Sequence, residues 1–579
     1  MKRRYKFKLA ARGACVLAVL AGIGSLALAI EDAECLKCHA DPSLKRDVSD
    51  GMKDSLFVDH EKFEVSVHGD YAVMCTDCHD GIKKLDPSVK GKEVPHSTDL
   101  PPVKCASCHP GEHDSFVKSG HYKLRRKGVS LTCYSCHKYH QVKPLAGYSA
   151  PERNNAFCTN CHKPEKTHDW LPRKKRHFSR VGCSVCHAPN VERHVSLRIF
   201  DKATNAFPTD KELMAALKTK NAEFMALADI DKDKKINAAE LQAVFDILGK
   251  GDIRPVLRGE LLSKLVPAVH EMNIDNAVRD CDKCHKPSAE YHQAMSLSFV
   301  SGDNTANRHA VSGDVLGSFG LLPDFYAMSA TRADIVDHYG LLLLLVTVSA
   351  VGLHFLVRLV TVPKRRRKPP ETSSPEQTGA VLMHSAATRL WHWMRSASIV
   401  ALLVTGAQIR YNDQLHFMPL SAAVVVHEMA AILLIAAFVF WLAYSLVRGK
   451  IRDYIAHPLT FATCGVRQAI YYLTGYFWGK PDPHQPTPQD KFNALQKMTY
   501  GATMILMLPA HIVTGLLLSD RAEYGEWVDM LGGAKIVAAA HAAMFFMVIA
   551  FLTVHLYMST MGKTPLQHVR TMITGHRRD

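Results

Sequence analysis

Seven copies of one five-residue pattern, C-x-x-C-H, set the terms on which this chain can fold. They are Cys35-Cys38-His39, Cys75-Cys78-His79, Cys105-Cys108-His109, Cys133-Cys136-His137, Cys158-Cys161-His162, Cys183-Cys186-His187 and Cys281-Cys284-His285, and they use fourteen of the sixteen cysteines. In such a pattern both thiols bond to haem vinyl groups, and the adjacent histidine ligates the iron from one face. One copy competes with zinc or disulfide use. Seven, each with its histidine, point to seven c-type haems. Six of them fall between Cys35 and His187, at about 25 residues each, too little chain for an ordinary apolar core. The porphyrins are therefore expected to be the core, wrapped by loops and short helices and close enough to pass electrons.

Each iron needs a second axial ligand. Ahead of the apolar C-terminal part, twelve histidines stand outside the motifs, a surplus that favours bis-histidine coordination and no open iron. The expected distal ligands are His68, His113, His121, His140, His177, His194 and His292, which recur just before or just behind a motif.

Met1 to Ala29 has a basic start, an apolar middle and the end Ala27-Leu28-Ala29, the form of a cleavable secretory signal. The region after it is then expected to fold outside the cytoplasm. The formal charge of +16 invites a nucleic-acid reading, which is rejected. Much of the excess is the basic bias of cytoplasmic loops, and haem propionates would offset the rest.

Residues 201–265 hold no motif and read as a helical insert. Within it Asp229, Asp231, Asp233 and Glu240 occupy positions 1, 3, 5 and 12 of an EF-hand-like loop. Position 6, usually glycine because the chain turns left-handed there, is Lys234. The expectation is a weak structural calcium site; the alternative is a helix-loop-helix spacer with solvated acids. Residues 266–300 carry the seventh haem, and 301–332 read as a linker.

Five candidate membrane spans follow, near 338–361, 388–409, 420–446, 495–519 and 534–560. Basic residues cluster after spans one, three and five, which places the N-terminal domain outside and the C-terminus in the cytoplasm. Ionisable side chains inside a span mark function. His541 and His555 lie about 21 Å apart along the last span and within roughly 40° of one face. At matching depths stand His427 on span three and His392 on span two. His427 with His541 and His392 with His555 then suit the axial positions of two stacked b-type haems, a wire across the bilayer.

The fold class is mainly α: a loop-rich multihaem c-type domain with the EF-hand-like insert, then a transmembrane bundle of one anchor helix and a four-helix dihaem b domain. The expected boundaries are a signal peptide at 1–29, a hexahaem domain at 30–200, the insert at 201–265 and the seventh-haem segment with linker at 266–332. The anchor helix follows at 333–363, a cytoplasmic linker at 364–387, the dihaem domain at 388–562 and a cytoplasmic tail at 563–579.

LWHWMRS at the start of span two, HEMAAILLIAAF on span three, KFNALQKMTYGATMILMLPAHIVTGLLL on span four and the H-x13-H of span five resemble the dihaem cytochrome b subunits of formate dehydrogenases and nickel-iron hydrogenases. That resemblance implies quinone chemistry near the His392/His555 haem, with Asn493, Gln496 and Lys497 as pocket candidates. Fusion to a multihaem c domain is similar to the CbcL-type inner-membrane cytochromes of metal-reducing bacteria, which implies electron flow from menaquinol to periplasmic c-type cytochromes. The expected function is thus a membrane-bound menaquinol oxidoreductase of anaerobic or extracellular respiration. The alternatives are reverse flow to quinone, or a terminal reductase of a small oxyanion at a c haem; a calcium-gated redox sensor rests on Asp229 to Glu240 alone. His354 and His511 read as structural or quinone-adjacent, His338 as a cap for the nearest c haem, and His416, His457 and His484 as bland loop residues.

Overall fold

The computed structural model describes residues 30–47, 53–82, 85, 96, 97, 100–366, 381–455, 461–562 and 564–577. The signal-like segment 1–29, His457 and most of the basic linker lie outside them. The chain divides into two compact units: Met1–Pro164, Phe178–Arg279 and Glu290–Gly313 form the first, and Glu165–His177, Asp280–Ala289 and Asp314–Asp579 the second.

The first unit begins as short helices and turns that carry the motifs, such as Asp32–His39, Cys75–Cys78 and Cys183–His187. Among the described residues no apolar side chain before Ala150 is buried. A folded stretch of that length without a buried apolar side chain does not hold itself together by its own packing. The observation fits a segment whose core is supplied by cofactors.

The rest of the first unit has a conventional core. Four strands, β1 (Arg193–Asp201), β2 (Pro255–Ser263), β3 (Met295–Val300) and β4 (Ala306–Val311), form one sheet in the order β2-β1-β3-β4. β1 runs antiparallel to β2 (Arg193↔Ser263) and parallel to β3 (Val195↔Met295); β4 is antiparallel to β3 (Met295↔Val311). Val195, Leu197 and Ile199 alternate into the interior, as does Phe299, which meets Phe224 edge-on at 4.7 Å. Helix α1 (Ala238–Gly249), capped by Asn237 and Glu240, adds Leu241, Val244 and Leu248. This sheet departs from the sequence reading, in which 201–265 was helical and 301–332 a linker. β2 carries half-buried Arg258 and buried Glu260, which hides its apolar run. Arg258 stacks 3.3 Å over the Phe200 ring, and buried Glu260 accepts the Ala150 N–H at 2.9 Å.

The second unit is built on helices α2 (Asp334–Arg366), α3 (Ala386–Arg410), α4 (Leu420–Val447), α5 (Ala494–Ser519) and α6 (Ala534–Ser559). Four of these, α2, α4, α5 and α6, are long and apolar enough to cross a membrane, and the protein is a membrane protein. α3 has the length, at 25 residues, but Arg389, His392, Arg395 and Ser398 in its first half lower its hydropathy. Trp391, Leu434, Ala437, Trp441, Met504 and Leu508 pack as the core of the bundle. α5 is interrupted by a π-helical stretch, Ala502–Met507, a local widening that is frequent near functional sites. α2 packs on α6: His354 Nδ1 meets the Tyr557 hydroxyl at 2.5 Å, and Arg358 binds Thr560. His354 is therefore a satisfied interhelical residue.

Candidate functional site: facing imidazoles in both units

Two imidazoles on opposite sides of one metal, each bonded at about 2.0 Å, have ring centroids roughly 6.3 Å apart. Direct hydrogen bonding or stacking would bring the rings closer. In the first unit His39 faces His96 at 6.2 Å, His109 faces His68 at 6.2 Å and His79 faces His140 at 6.4 Å. His162 faces His121 at 5.9 Å and His137 faces His270 at 6.1 Å. Five motif histidines thus meet a second imidazole at the spacing that a shared iron requires. Burial, and after it the facing histidine, holds His68, His121, His137 and His140 below the ordinary imidazole pKa. The neutral form is the one that ligates.

The structure therefore brings together His68, His121 and His140 of the sequence expectation, and adds His96 and His270. His113 stands elsewhere: it is half-exposed, with its Nδ1 3.8 Å from Asp114. His96 and His270 have no local signal, because each faces its motif histidine from a distant part of the sequence. His292 is buried on the short helix Glu290–Gln293, and His194 sits on β1 among Arg153, Lys264 and Arg308. Burial, followed by those cations, holds His194 down to about 4.

Among the described residues no cysteine is in a disulfide. Thiols of successive motifs are neighbours. Cys35 lies beside Cys75, Cys105 beside Cys133 and Cys158 beside Cys183. Between these pairs, Cys78 senses Cys105 and Cys136 senses Cys158. The six motifs follow one another in space as they do in sequence, as three close pairs.

In the second unit His285, of the seventh motif, faces His177 at 6.1 Å. This pair shares its unit with the membrane helices. Asp282 accepts a hydrogen bond from Asn412 at 2.6 Å and lies 3.6 Å from His416, while His285 Nδ1 sits 3.2 Å from the Met328 carbonyl. Arg173, on the His177 segment, pairs with Glu428 of α4 at 3.2 Å.

Within the bundle, His427 of α4 faces His541 of α6 at 6.5 Å. Each ring is held by a threonine on a neighbouring helix: Thr405 Oγ1 to His427 Nδ1 at 2.9 Å, and Thr514 Oγ1 to His541 Nδ1 at 3.0 Å. With Nδ1 so engaged, Nε2 is the nitrogen each ring has left to offer a metal. The next residue is glycine in both cases, and a Cβ at Gly406 or Gly515 would stand 3.3 Å from the Cε1 of the ring. Val404-Thr405-Gly406 and Val513-Thr514-Gly515 are thus one device used twice, and that repeated tripeptide is the signal the sequence reading missed. His511 packs edge-on against His541 at 4.2 Å.

Further along the same helices stand His392, whose Nδ1 is buried without a hydrogen-bond partner, and His555. Phe551 and Tyr500 pack on His555 at 5.6 and 5.9 Å. Asn493 and Gln496 form the capping box of α5, and Lys497 pairs with Asp490 at 2.7 Å. These are structural duties for residues that the resemblance offers to quinone.

The residues 383–575 match the family model described as prokaryotic cytochrome b561. This region is a cytochrome b561-type domain. Its boundaries take in α3 to α6 and with them His392, His427, His541 and His555, so the domain implies b-type haem. The chain is also 29% identical over 229 residues to the Escherichia coli (strain K12) protein YdhU, whose name describes it as a cytochrome. That match covers 39% of this chain and 83% of the relative. A membrane b-type cytochrome with a role in electron transfer follows.

In the insert, Asp229, Asp231 and Asp233 bring one carboxylate oxygen each within 4.8 Å of the others, and Lys234 adopts the left-handed conformation at φ 69°. Glu240 turns away from the position-12 role: its carboxylate accepts the N–H groups of Ile230, Asp231 and Asn237 at 2.7, 3.1 and 2.9 Å. The expected fourth calcium ligand is thereby occupied with closing the loop.

Proposed function

We propose that this protein is a membrane-bound quinol oxidoreductase that passes electrons from the menaquinol pool through two b haems to seven c haems, and on to periplasmic c-type cytochromes. The observation that carries this reading is the recurrence of one imidazole–imidazole spacing, 5.9–6.5 Å, at motif histidines and at the b561 domain pair alike. Bound at these positions, haems supply one-electron carriers in series. The chain's part is to fix each iron with two imidazoles, so that it transfers electrons without binding a substrate, and to hold successive sites close. Buried His292 is a proposed second ligand to a c haem, and Asp229, Asp231 and Asp233 are the proposed ligands of a weak calcium site.

The basic residues flanking the spans support a periplasmic N-terminal half and a cytoplasmic C-terminus. The two-sided ligation weighs against a terminal reductase, which needs an iron with an open face; reverse flow to quinone uses the same parts. A redox-titrated optical spectrum of the purified protein with a menaquinol analogue tests the proposal. It is expected to show c and b haems in a 7:2 ratio, all low-spin, with c-haem reduction by the quinol. The absence of b-haem bands, or no reduction by quinol while dithionite reduces every haem, overturns it.

A further inference from the structure

Lys535 opens α6 and is 5% exposed. Its ammonium donates to the carbonyls of Leu316 and Ser318, the latter at 2.8 Å, and no carboxylate pairs with it among the described residues. It lines a cavity together with Tyr326, Arg332, Arg410 and Ala538. Arg410 is paired with Asp337 at 2.7 Å and Arg332 with Asp413 at 3.5 Å. Two of the three cations are thus neutralised and the most buried one is not. A buried charge that meets only carbonyl dipoles is poorly compensated, so the site is built for one further anion.

The position of the cavity names that anion. Ala538 precedes His541 by three residues and so shares its helix face. Lys535 lies six residues before His541, about 9 Å along the axis, a distance that a propionate arm spans from its iron. Arg410 ends α3 in the same direction from Thr405, which holds the partner ring.

We propose that Lys535 is the counter-ion of a propionate of the haem that His427 and His541 hold, with Arg332 and Arg410 flanking it. The assignment rests on the b-haem reading given above. The ion pair keeps the carboxylate ionised and places a positive charge that favours the ferrous state. The other titratable side chains around it are Tyr326, Asp337, Tyr411 and Asp413.

The test is a pair of variants, K535M and K535R, in the full-length protein. The midpoint potential of each b haem is followed spectroscopically across about pH 6 to 8, where a propionate freed of its partner begins to titrate. In K535M the haem of His427 and His541, the outer of the two in the proposed orientation, is expected to shift to lower potential and to become pH-dependent, while the inner haem, that of His392 and His555, stays unchanged; K535R should resemble the unaltered protein. Loss of the outer haem in K535M with retention in K535R also supports the assignment. Loss in both, or an unchanged potential and pH profile in K535M, overturns it, as it would if a lipid phosphate were the true partner. If the unaltered protein holds no second b haem, the b-haem reading itself fails, which is a separate result.

Discussion

The two units present histidines at the same spacing by opposite means. In the first, five motif histidines each meet an imidazole from elsewhere in the chain: His68 precedes the second motif yet faces the third, and His140 follows the fourth yet faces the second. Little buried side-chain mass steadies those loops. In the b561 domain the ligands ride on long packed helices, and a threonine and a glycine set each ring of the His427–His541 pair. The difference teaches what a covalent tether is worth. On the proposed reading, a loop suffices to deliver the second ligand where two thioethers hold the porphyrin. Where nothing holds it but its axial bonds, the scaffold must fix the rings in advance.

That contrast breaks most visibly at a first ligand. His541→Ala is expected to expel the outer b haem, halving the b-haem absorbance and abolishing c-haem reduction by quinol, while dithionite still reduces every c haem. His270→Ala should behave differently: the haem of Cys133 and Cys136 stays attached and becomes high-spin, as seen by electron paramagnetic resonance. His113→Ala should leave all c haems low-spin.

A smaller effect separates the ligand from its support. Thr514→Val removes the hydrogen bond to His541 Nδ1 and should weaken b-haem retention by about 10- to 100-fold, read as haem lost on dilution or dialysis. The equivalent loss at a tethered c haem would be invisible to that assay.

The smallest expected change concerns acid stability. The His194 pKa is held at about 4 against an unfolded value near 6.5. The folded state therefore favours neutral His194, and this contribution is full above about pH 6.5 and fades as pH falls toward 4. His194→Gln should remove on the order of 2 kcal/mol of that pH dependence, measured as a flatter loss of stability between those pH values. A high-spin haem in the same variant would instead reveal His194 as a ligand.

Much of this architecture is legible in the residues, for reasons that differ by region. The C-x-x-C-H motifs announce themselves because the chemistry needs adjacent atoms. The His427–His541 pairing follows from helix rise and from the direction in which each span runs. The pairings of His96 and His270 are not legible, since nothing within a few residues ties them to His39 or His137. The sheet is obscured by Arg258 and Glu260, whose burial depends on partners as far away as Ala150. Glu240 fits a loop pattern by spacing, and only its hydrogen bonds show it serving the backbone.

The seventh motif has one more consequence. Its site is assembled from Glu165–His177 and Asp280–Ala289, two segments separated by a hundred residues of the other unit. Both are synthesised before the helices they pack with. Biogenesis of the junction is thus a matter of waiting: its pieces must stay available until the last third of the polypeptide has inserted, and a secreted fragment ending before α2 would carry the attachment site without its permanent seat.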